Sequence, residues 1–380
     1  MKKWNTKCRF FDEKYACDTL TTEGYEDCSE CKFAEEYSKK ILIIKFGALG
    51  DVIRTTPILE AIKKKYGHDT LIYWLTLPES EELLQKNPLI DKILLYNLDS
   101  VLRLQQENFD VLFSLEINTP ATLIANLVNA NEKYGYFFSN RATFCFNQGA
   151  QEYLETVFLN TKKLQNRKTY QQLIFQACNL PYSNEFPIIK IYEKKEDFVN
   201  KFKQENNISN NEQILGIHIG ADSRWPSKTW ADEKLIEFIK TIYGKYKIIL
   251  FSGPNEIGKI KNIKEKLYQQ GINIITNNPE NSYSEFAAIL NICDIVITYD
   301  TFALHMAIAL KKPTIALFFC TPGWEIEDYG FSKKILSPFI EKYFLTNQYI
   351  EELVNSISVE QVLQTLRELE IELKTQKNEP

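Results

Sequence analysis

Four short stretches of this chain place ionisable and hydroxyl side chains where they could do chemistry. Asp300-Thr301-Phe302-Ala303-Leu304-His305 offers a carboxylate, a hydroxyl and an imidazole. It follows the apolar run Ile295-Val296-Ile297-Thr298 and precedes an apolar helical pattern from Met306 to Leu310, so it is a turn at a helix N-terminus. Such a terminus presents unpaired N–H groups and a partial positive charge, which suits a phosphate; the other reading is an N-cap with a satisfied histidine. Lys45-Phe46-Gly47-Ala48-Leu49-Gly50-Asp51 is its counterpart in the first half. There Gly47 and Gly50 would let a substrate approach the backbone, and Asp51 either caps the helix or accepts a proton from an incoming hydroxyl. In Trp225-Pro226-Ser227-Lys228-Thr229-Trp230, Lys228 is a compact charge suited to a diphosphate, with Ser227 and Thr229 adding hydroxyls. The other reading is a surface lysine between two packing tryptophans. Ser252-Gly253-Pro254-Asn255-Glu256 ends in a carboxylate that either accepts from a ribose diol or starts a helix.

The elements that must position these groups alternate along the chain. Strands are expected at Ile41–Lys45, Leu71–Leu75, Ile93–Tyr96, Val111–Leu115 and Tyr134–Phe138, with helices at Ile53–Tyr66 and Ala121–Ala130. Pro57 falls in the first turn of the former. Tyr153 to Leu180 is largely helical, Ile188–Tyr192 is extended, and Lys194–Asn206 is a charged helix. The alternation restarts with strands Ile214–Ile219, Lys247–Phe251, Ile272–Ile275, Asp294–Thr298 and Thr314–Phe318, and helices such as Ala231–Tyr243 and Ser284–Asn291. This predicts an α/β protein of two Rossmann-like, doubly wound domains facing a cleft, each with helices on both faces of a parallel sheet. Ligands of such sheets bind beyond the carboxyl ends of the strands, where all four stretches fall. The expected divisions are 1–39, a cysteine-rich finger; 40–210, an N-terminal domain; 211–340, a C-terminal domain; and 341–380, a helical tail that frays from Lys374.

Composition narrows the function. With 380 residues, 44% hydrophobic and 25% charged, the chain is an ordinary globular one, and its net charge of -5 argues against nucleic acid as the main partner. No signal peptide or membrane span is discernible, so a cytoplasmic location is expected. A lipid-linked acceptor would bring Arg54 and Lys63–Lys65 to the inner membrane face as a peripheral contact. Assembly into an oligomer is compatible with the sequence. With only three histidines, general-base duty falls to a carboxylate. A dinucleotide-binding oxidoreductase is disfavoured, because the G-x-G-x-x-G spacing is missing and the second strand ends without the acid that would hold a ribose.

Cys8, Cys17, Cys28 and Cys31 are spaced C-x₈-C-x₁₀-C-x₂-C. Four thiols in a segment lacking its own core suit a structural zinc or iron, with disulfides and unligated thiols as the alternatives. Cys145, Cys178, Cys293 and Cys320 lie in apolar surroundings and read as core residues.

Ile41–Pro57 (ILIIKFGALGDVIRTTP), Ile217–Trp230 (IHIGADSRWPSKTW), Ser252–Glu256 and Asp294–Phe318 (DIVITYDTFALHMAIALKKPTIALF) resemble the ADP-heptose lipopolysaccharide heptosyltransferase family. The resemblance covers roughly residues 41 to 335 and implies a GT-B fold with inverting, metal-independent transfer from ADP-heptose. The implied acceptor is a hydroxyl of lipopolysaccharide core, another surface glycan or glycolipid, or a protein. It makes Asp51 the general base, gives the diphosphate to Lys228, Thr301 and His305, the adenosine to Glu256, and sugar or ribose hydroxyls to Asp300. Ile219 stands where the family usually has proline. Phe302 stands where it has glycine; its backbone N–H can still donate, while its ring would narrow the donor site. The competing reading is a non-catalytic nucleotide-sugar sensor or metal-finger scaffold on the same fold.

Overall fold

The computed structural model describes residues 4–11, 17–221 and 224–378. Asp222 and Ser223, within the stretch Ile217–Trp230, lie outside them. The chain divides into two compact units: Met1–Gly47, Pro57–Leu154 and Leu173–Glu185 form one, and Ala48–Thr56, Glu155–Gln172 and Phe186–Pro380 form the other.

β1 (Lys40–Ile44) and β2 (Leu71–Thr76) are apolar except for Lys40 and Thr76 at their outer ends, and those apolar residues are buried on both faces. Only a sheet with helices on both sides hides such strands. β3 (Lys92–Leu95), β4 (Asn108–Ser114), β5 (Asn129–Ser139) and β6 (Ala142–Cys145) complete the first sheet, in the order β3-β2-β1-β4-β5-β6. At its centre Ile43 pairs with Trp74 on one side and Phe113 on the other. The second sheet contains β7 (Ile214–His218), β8 (Lys247–Phe251), β9 (Ile275–Thr276), β10 (Ile295–Tyr299), β11 (Thr314–Phe318) and β12 (Ser332–Leu336), in the order β12-β11-β10-β7-β8-β9. Counted from its own first strand, each sheet has the doubly wound Rossmann order, whose switch point lies between the first and fourth strands. Leu215, Leu250, Ile263 and Ile315 are fully buried in the second core, where each such side chain contributes about 1.5–3 kcal/mol. Among the described residues, no helix is long and apolar enough to cross a membrane.

Several elements differ from expectation, each for a local reason. The single helix expected over Ile53–Tyr66 is two, Leu49–Thr55 and Ile58–Tyr66. Pro57 lacks an N–H and its ring opposes the carbonyl four residues back, so it separates the helices rather than sitting inside one. The helix therefore starts earlier, and Asp51 falls in its first turn. β6 runs antiparallel to β5 through a turn with left-handed Asn140 (φ 45°) and Arg141 (φ 71°). Ile188–Tyr192 joins no sheet. β12, partly buried at the sheet edge, carries too weak an apolar pattern to be noticed. The last helix, Val359–Asn378, continues past the expected fraying point.

Each lysine of the run Lys63–Lys65 has a partner within the first unit, while Lys64 and Lys65 stay exposed. Lys63 is buried and donates to the carbonyls of His68 (3.3 Å) and Thr70 (2.6 Å). Lys64 pairs with Glu185 at 3.0 Å, and Lys65 donates to the Asn179 carbonyl at 3.1 Å.

The cysteine segment is stitched to the first unit by Arg9, which donates to the Thr70 carbonyl at 3.3 Å and pairs with Asp91, also at 3.3 Å. Thr70 and Asp91 immediately precede β2 and β3, so the segment docks at the amino ends of these strands, away from the carboxyl-end turns. Its cysteines form no disulfide, and among the described residues no three His, Cys, Asp or Glu side chains converge on a metal-sized centre. As placed, Cys8, Cys17, Cys28 and Cys31 do not fit the expected four-thiolate site.

Candidate active site

β10 delivers Asp300 at its carboxyl end, and Thr301 is the N-cap of the helix Phe302–Ala309. Thr301 is extended (φ -142°, ψ 176°) and makes no side-chain cap, so it leaves the helix N–H groups unsatisfied by a cap. Its hydroxyl faces neighbouring side chains instead, 3.4 Å from His218 Nδ1 and 3.5 Å from Thr298 Oγ1. Parallel pairing of β7 with β10 brings His218 there. Burial, aided by Lys259, pushes His218 down to about 4. Lys228 Nζ donates to the Asp300 carbonyl at 2.7 Å and lies 3.2 Å from Oδ2. Burial alone would raise Asp300, but Lys228 and then His305 hold it well below the usual carboxylate range. A fixed ammonium thus sits beside an uncapped helix N-terminus, which together make an anion site.

One turn into that helix, His305 packs on the helix Leu49–Thr55. A Cβ built on Gly50 would lie 2.3 Å from His305 Cδ2, so the missing side chain of Gly50 is room for the imidazole. Burial first, then Arg54, lowers His305 to about 4, although Asp300 and Asp51 pull the other way. In the free protein the ring is therefore uncharged at neutral pH. Asp51 Oδ1 accepts from Arg54 Nε at 3.0 Å and lies 2.8 Å from Nη2. The guanidinium stacks over the Tyr170 ring at 3.8 Å, and the Tyr170 hydroxyl is 2.8 Å from Thr55 Oγ1. Asp51 is therefore held by a clamped, desolvated cation one helical turn away.

Asp51, Asp300, Thr301, Lys228 and His305 come together within the second unit. Gly47 faces open space, as a close approach requires, whereas the space at Gly50 is taken by His305. Ser227 is turned away from the site. It is fully buried, donates to the Gln348 carbonyl and accepts from the Ile350 N–H, both at 2.8 Å, and so anchors the C-terminal loop. Glu256 caps its own turn by accepting from the Gly253 N–H at 2.9 Å, and its carboxylate lies against Gly220. The Phe302 ring packs on Tyr283 and Phe286, with ring centroids 5.2 and 5.7 Å away, so its bulk joins an aromatic cluster. Sequence reasoning missed the Asp51 partner Arg54, which it had sent to the membrane; the i,i+3 spacing on one helix was the available signal. Tyr170 and His218 carried no local signal.

Two six-stranded sheets of Rossmann order, with an anion site at the carboxyl ends of the second and a carboxylate beside it, define the GT-B class of glycosyltransferases. The family signature of glycosyltransferase family 9 (heptosyltransferase) matches residues 101–345, more than half of the chain, and the chain belongs to that family. It is a glycosyltransferase. The lipopolysaccharide heptosyltransferase 1 of Campylobacter coli is 24% identical over 305 residues, covering 75% of this chain and 85% of its own. A family 9 glycosyltransferase structure from Veillonella parvula superposes with a TM-score of 0.69 at 18% identity, over 89% of this chain and 99% of that one. The ADP-heptose lipopolysaccharide heptosyltransferase II of E. coli gives 0.65 at 16% identity, over 88% and 99%.

Proposed function

We propose that the protein transfers a heptose from ADP-heptose to a hydroxyl of lipopolysaccharide core, with inversion at the anomeric carbon and without a catalytic metal. The observation that carries the reading is the contact of His305 with Gly50, which sets the helix bearing Asp51 against the uncapped helix that follows Asp300. The donor's diphosphate lies at that N-terminus, against Lys228 and the His305 ring N–H. Asp51 takes the proton of the acceptor hydroxyl as its oxygen bonds to the anomeric carbon. The bond from that carbon to the phosphate oxygen breaks, and the charge gathering on departing ADP is met by Lys228 and the helix N–H groups. Asp300 and Glu256 supply acceptors for sugar and ribose hydroxyls. Arg54 orients Asp51 and must share its carboxylate with the incoming hydroxyl.

The donor is tested by calorimetric titration with ADP-heptose, UDP-glucose and NAD, and the chemistry by Asp51→Ala. We expect ADP-heptose alone to bind tightly, and the variant to bind it normally while transferring about 10²–10⁴-fold more slowly. Near-normal transfer by the variant would remove Asp51 from the mechanism. Binding of UDP-glucose in place of ADP-heptose would remove the donor. We further propose that the cysteine segment stabilises the first unit from the amino ends of its strands. Elemental analysis of purified protein decides whether zinc or iron contributes.

A further inference from the structure

Glu325 is a buried carboxylate that the mechanism above does not use. It lies in the loop after β11, and β11 is the parallel neighbour of β10, so this loop and the Asp300 turn share one end of the sheet. Its side chain is 9% exposed, and Oε2 lies 3.3 Å from Lys163 Nζ. Oε1 is inaccessible and, among the described residues, has no hydrogen-bond partner. Burial raises its affinity for a proton, and Lys163 and Arg54 only partly offset this, so the charges of the active site reach it. A run of contacts holds the loop in place. Besides Lys163 with Glu325, Arg167 lies over Trp324 at 5.1 Å and Thr169 donates to Glu327 at 3.1 Å. The same segment carries Tyr170, on which Arg54 stacks.

An orphaned carboxylate oxygen in a well-braced loop is a cost without a return inside the free protein. Hydroxyl groups of a polyol are the partners that would remove it. Resting on the glycosyltransferase reading, we propose that Glu325 is a specificity-determining residue that accepts hydrogen bonds from hydroxyls of the donor sugar through Oε1, while Oε2 keeps Lys163. Because Oε1 is inaccessible in the free protein, this role requires the Glu325 side chain to rotate and expose it when donor enters. Phosphate and adenosine contacts lie elsewhere, so Glu325 distinguishes sugars and not nucleotides.

The test compares ADP, ADP-heptose and ADP-glucose on the full-length chain, wild type and Glu325→Gln. Glutamine keeps the shape and an acceptor oxygen but loses the charge that makes hydroxyl bonds strong. Expected is a loss of ADP-heptose affinity of about tenfold to a hundredfold with ADP affinity unchanged, and a smaller preference for heptose over the hexose donor. Equal losses for ADP and ADP-heptose would make Glu325 merely structural and overturn the proposal, as would unchanged donor affinity. Should Glu325→Gln fail to fold, Glu325→Asp retains the charge for Lys163 but withdraws the oxygen, and the same selective loss is required of it. Wild-type protein that binds no ADP-sugar would defeat the underlying functional reading instead, a result distinguishable from either of these.

Discussion

His305 should be neutral in the free protein and become protonated when a diphosphate binds. The residue is 8% exposed and its imidazole is held near 4, against an ordinary 6.5. That gap corresponds to roughly 3 kcal/mol favouring the neutral form. The groups acting on it are Arg54 and Lys228, which oppose protonation, and Asp300 and Asp51, which favour it. A donor diphosphate at the N-terminus of the same helix adds negative charge, which acts in the direction of the carboxylates. If that charge restores the ring to its ordinary value, the bound state holds more protons than the free state below neutrality. Affinity then rises as pH falls, by about tenfold between pH 7.5 and 5.5. ADP-heptose suits the measurement because its diphosphate is a diester with no ionisation in this range. The chain has only three histidines, so imidazole NMR resolves His305 from His68 and His218 by single substitutions. Calorimetry at the two pH values supplies the affinity. A His305 signal titrating near 6.5 in free protein, or donor affinity that is flat with pH, would refute the reasoning.

Gly50→Ala should displace the imidazole by forcing a Cβ to within 2.3 Å of it, destabilising by about 1–3 kcal/mol and weakening donor binding; thermal melts with and without donor measure both. Lys228→Met should leave the fold intact and reduce ADP affinity by more than tenfold, roughly 1.4 kcal/mol or more, read by calorimetry. Glu116→Gln should cost roughly 3–5 kcal/mol in denaturant titration, since it strips the carboxylate from buried Lys45. Because the folded value of His305 is depressed, its contribution to stability is present above pH 6.5 and is lost as pH falls towards about 4. The acid sensitivity of His305→Gln should be correspondingly smaller in melts at pH 7 and 5.

The strands were legible because burial on both faces forces unbroken apolar runs. Lys247–Phe251 and Thr314–Phe318 are found with the expected bounds. β6 was hidden because its turn uses Arg141 in a left-handed conformation where glycine would have announced it. Asp51, Lys228 and His305 stood out as chemical types at strand ends. The protonation state of His305 did not, since it depends on which side chains crowd it. The neutral ring of His305 follows from burial and Arg54, and neither is visible in Asp300–His305. Ser227 had the right type at the right place in the chain, but its hydroxyl is consumed by Gln348 and Ile350, more than a hundred residues away. Side-chain type proposes a role, and competing long-range partners decide it.

Two sheets of identical strand order raise the question of why the second, and not the first, suits the diphosphate. At the switch point of the first, the backbone N–H groups of Phe46 and Gly47 point at Glu116 Oε2, at 3.3 and 3.4 Å. The same oxygen is 3.1 Å from buried Lys45, and the other accepts from the Ile117 N–H. A carboxylate of the protein therefore fills the cradle where a dinucleotide-binding turn would receive pyrophosphate. An arriving phosphate would meet a negative charge in place of free donors. At the second switch point the Thr301 side chain does not cap the helix that follows it, and Lys228, paired with Asp300, stands at the same strand end. This difference disfavours the oxidoreductase reading on physical grounds independent of the missing glycine. It also frees the first turn to support the start of the helix that carries Asp51. The duplicated architecture thus gives one half a turn whose N–H groups are taken up by Glu116 and the other a helix N-terminus that its own N-cap side chain leaves unbonded, and the chemistry proposed for each half follows from that asymmetry.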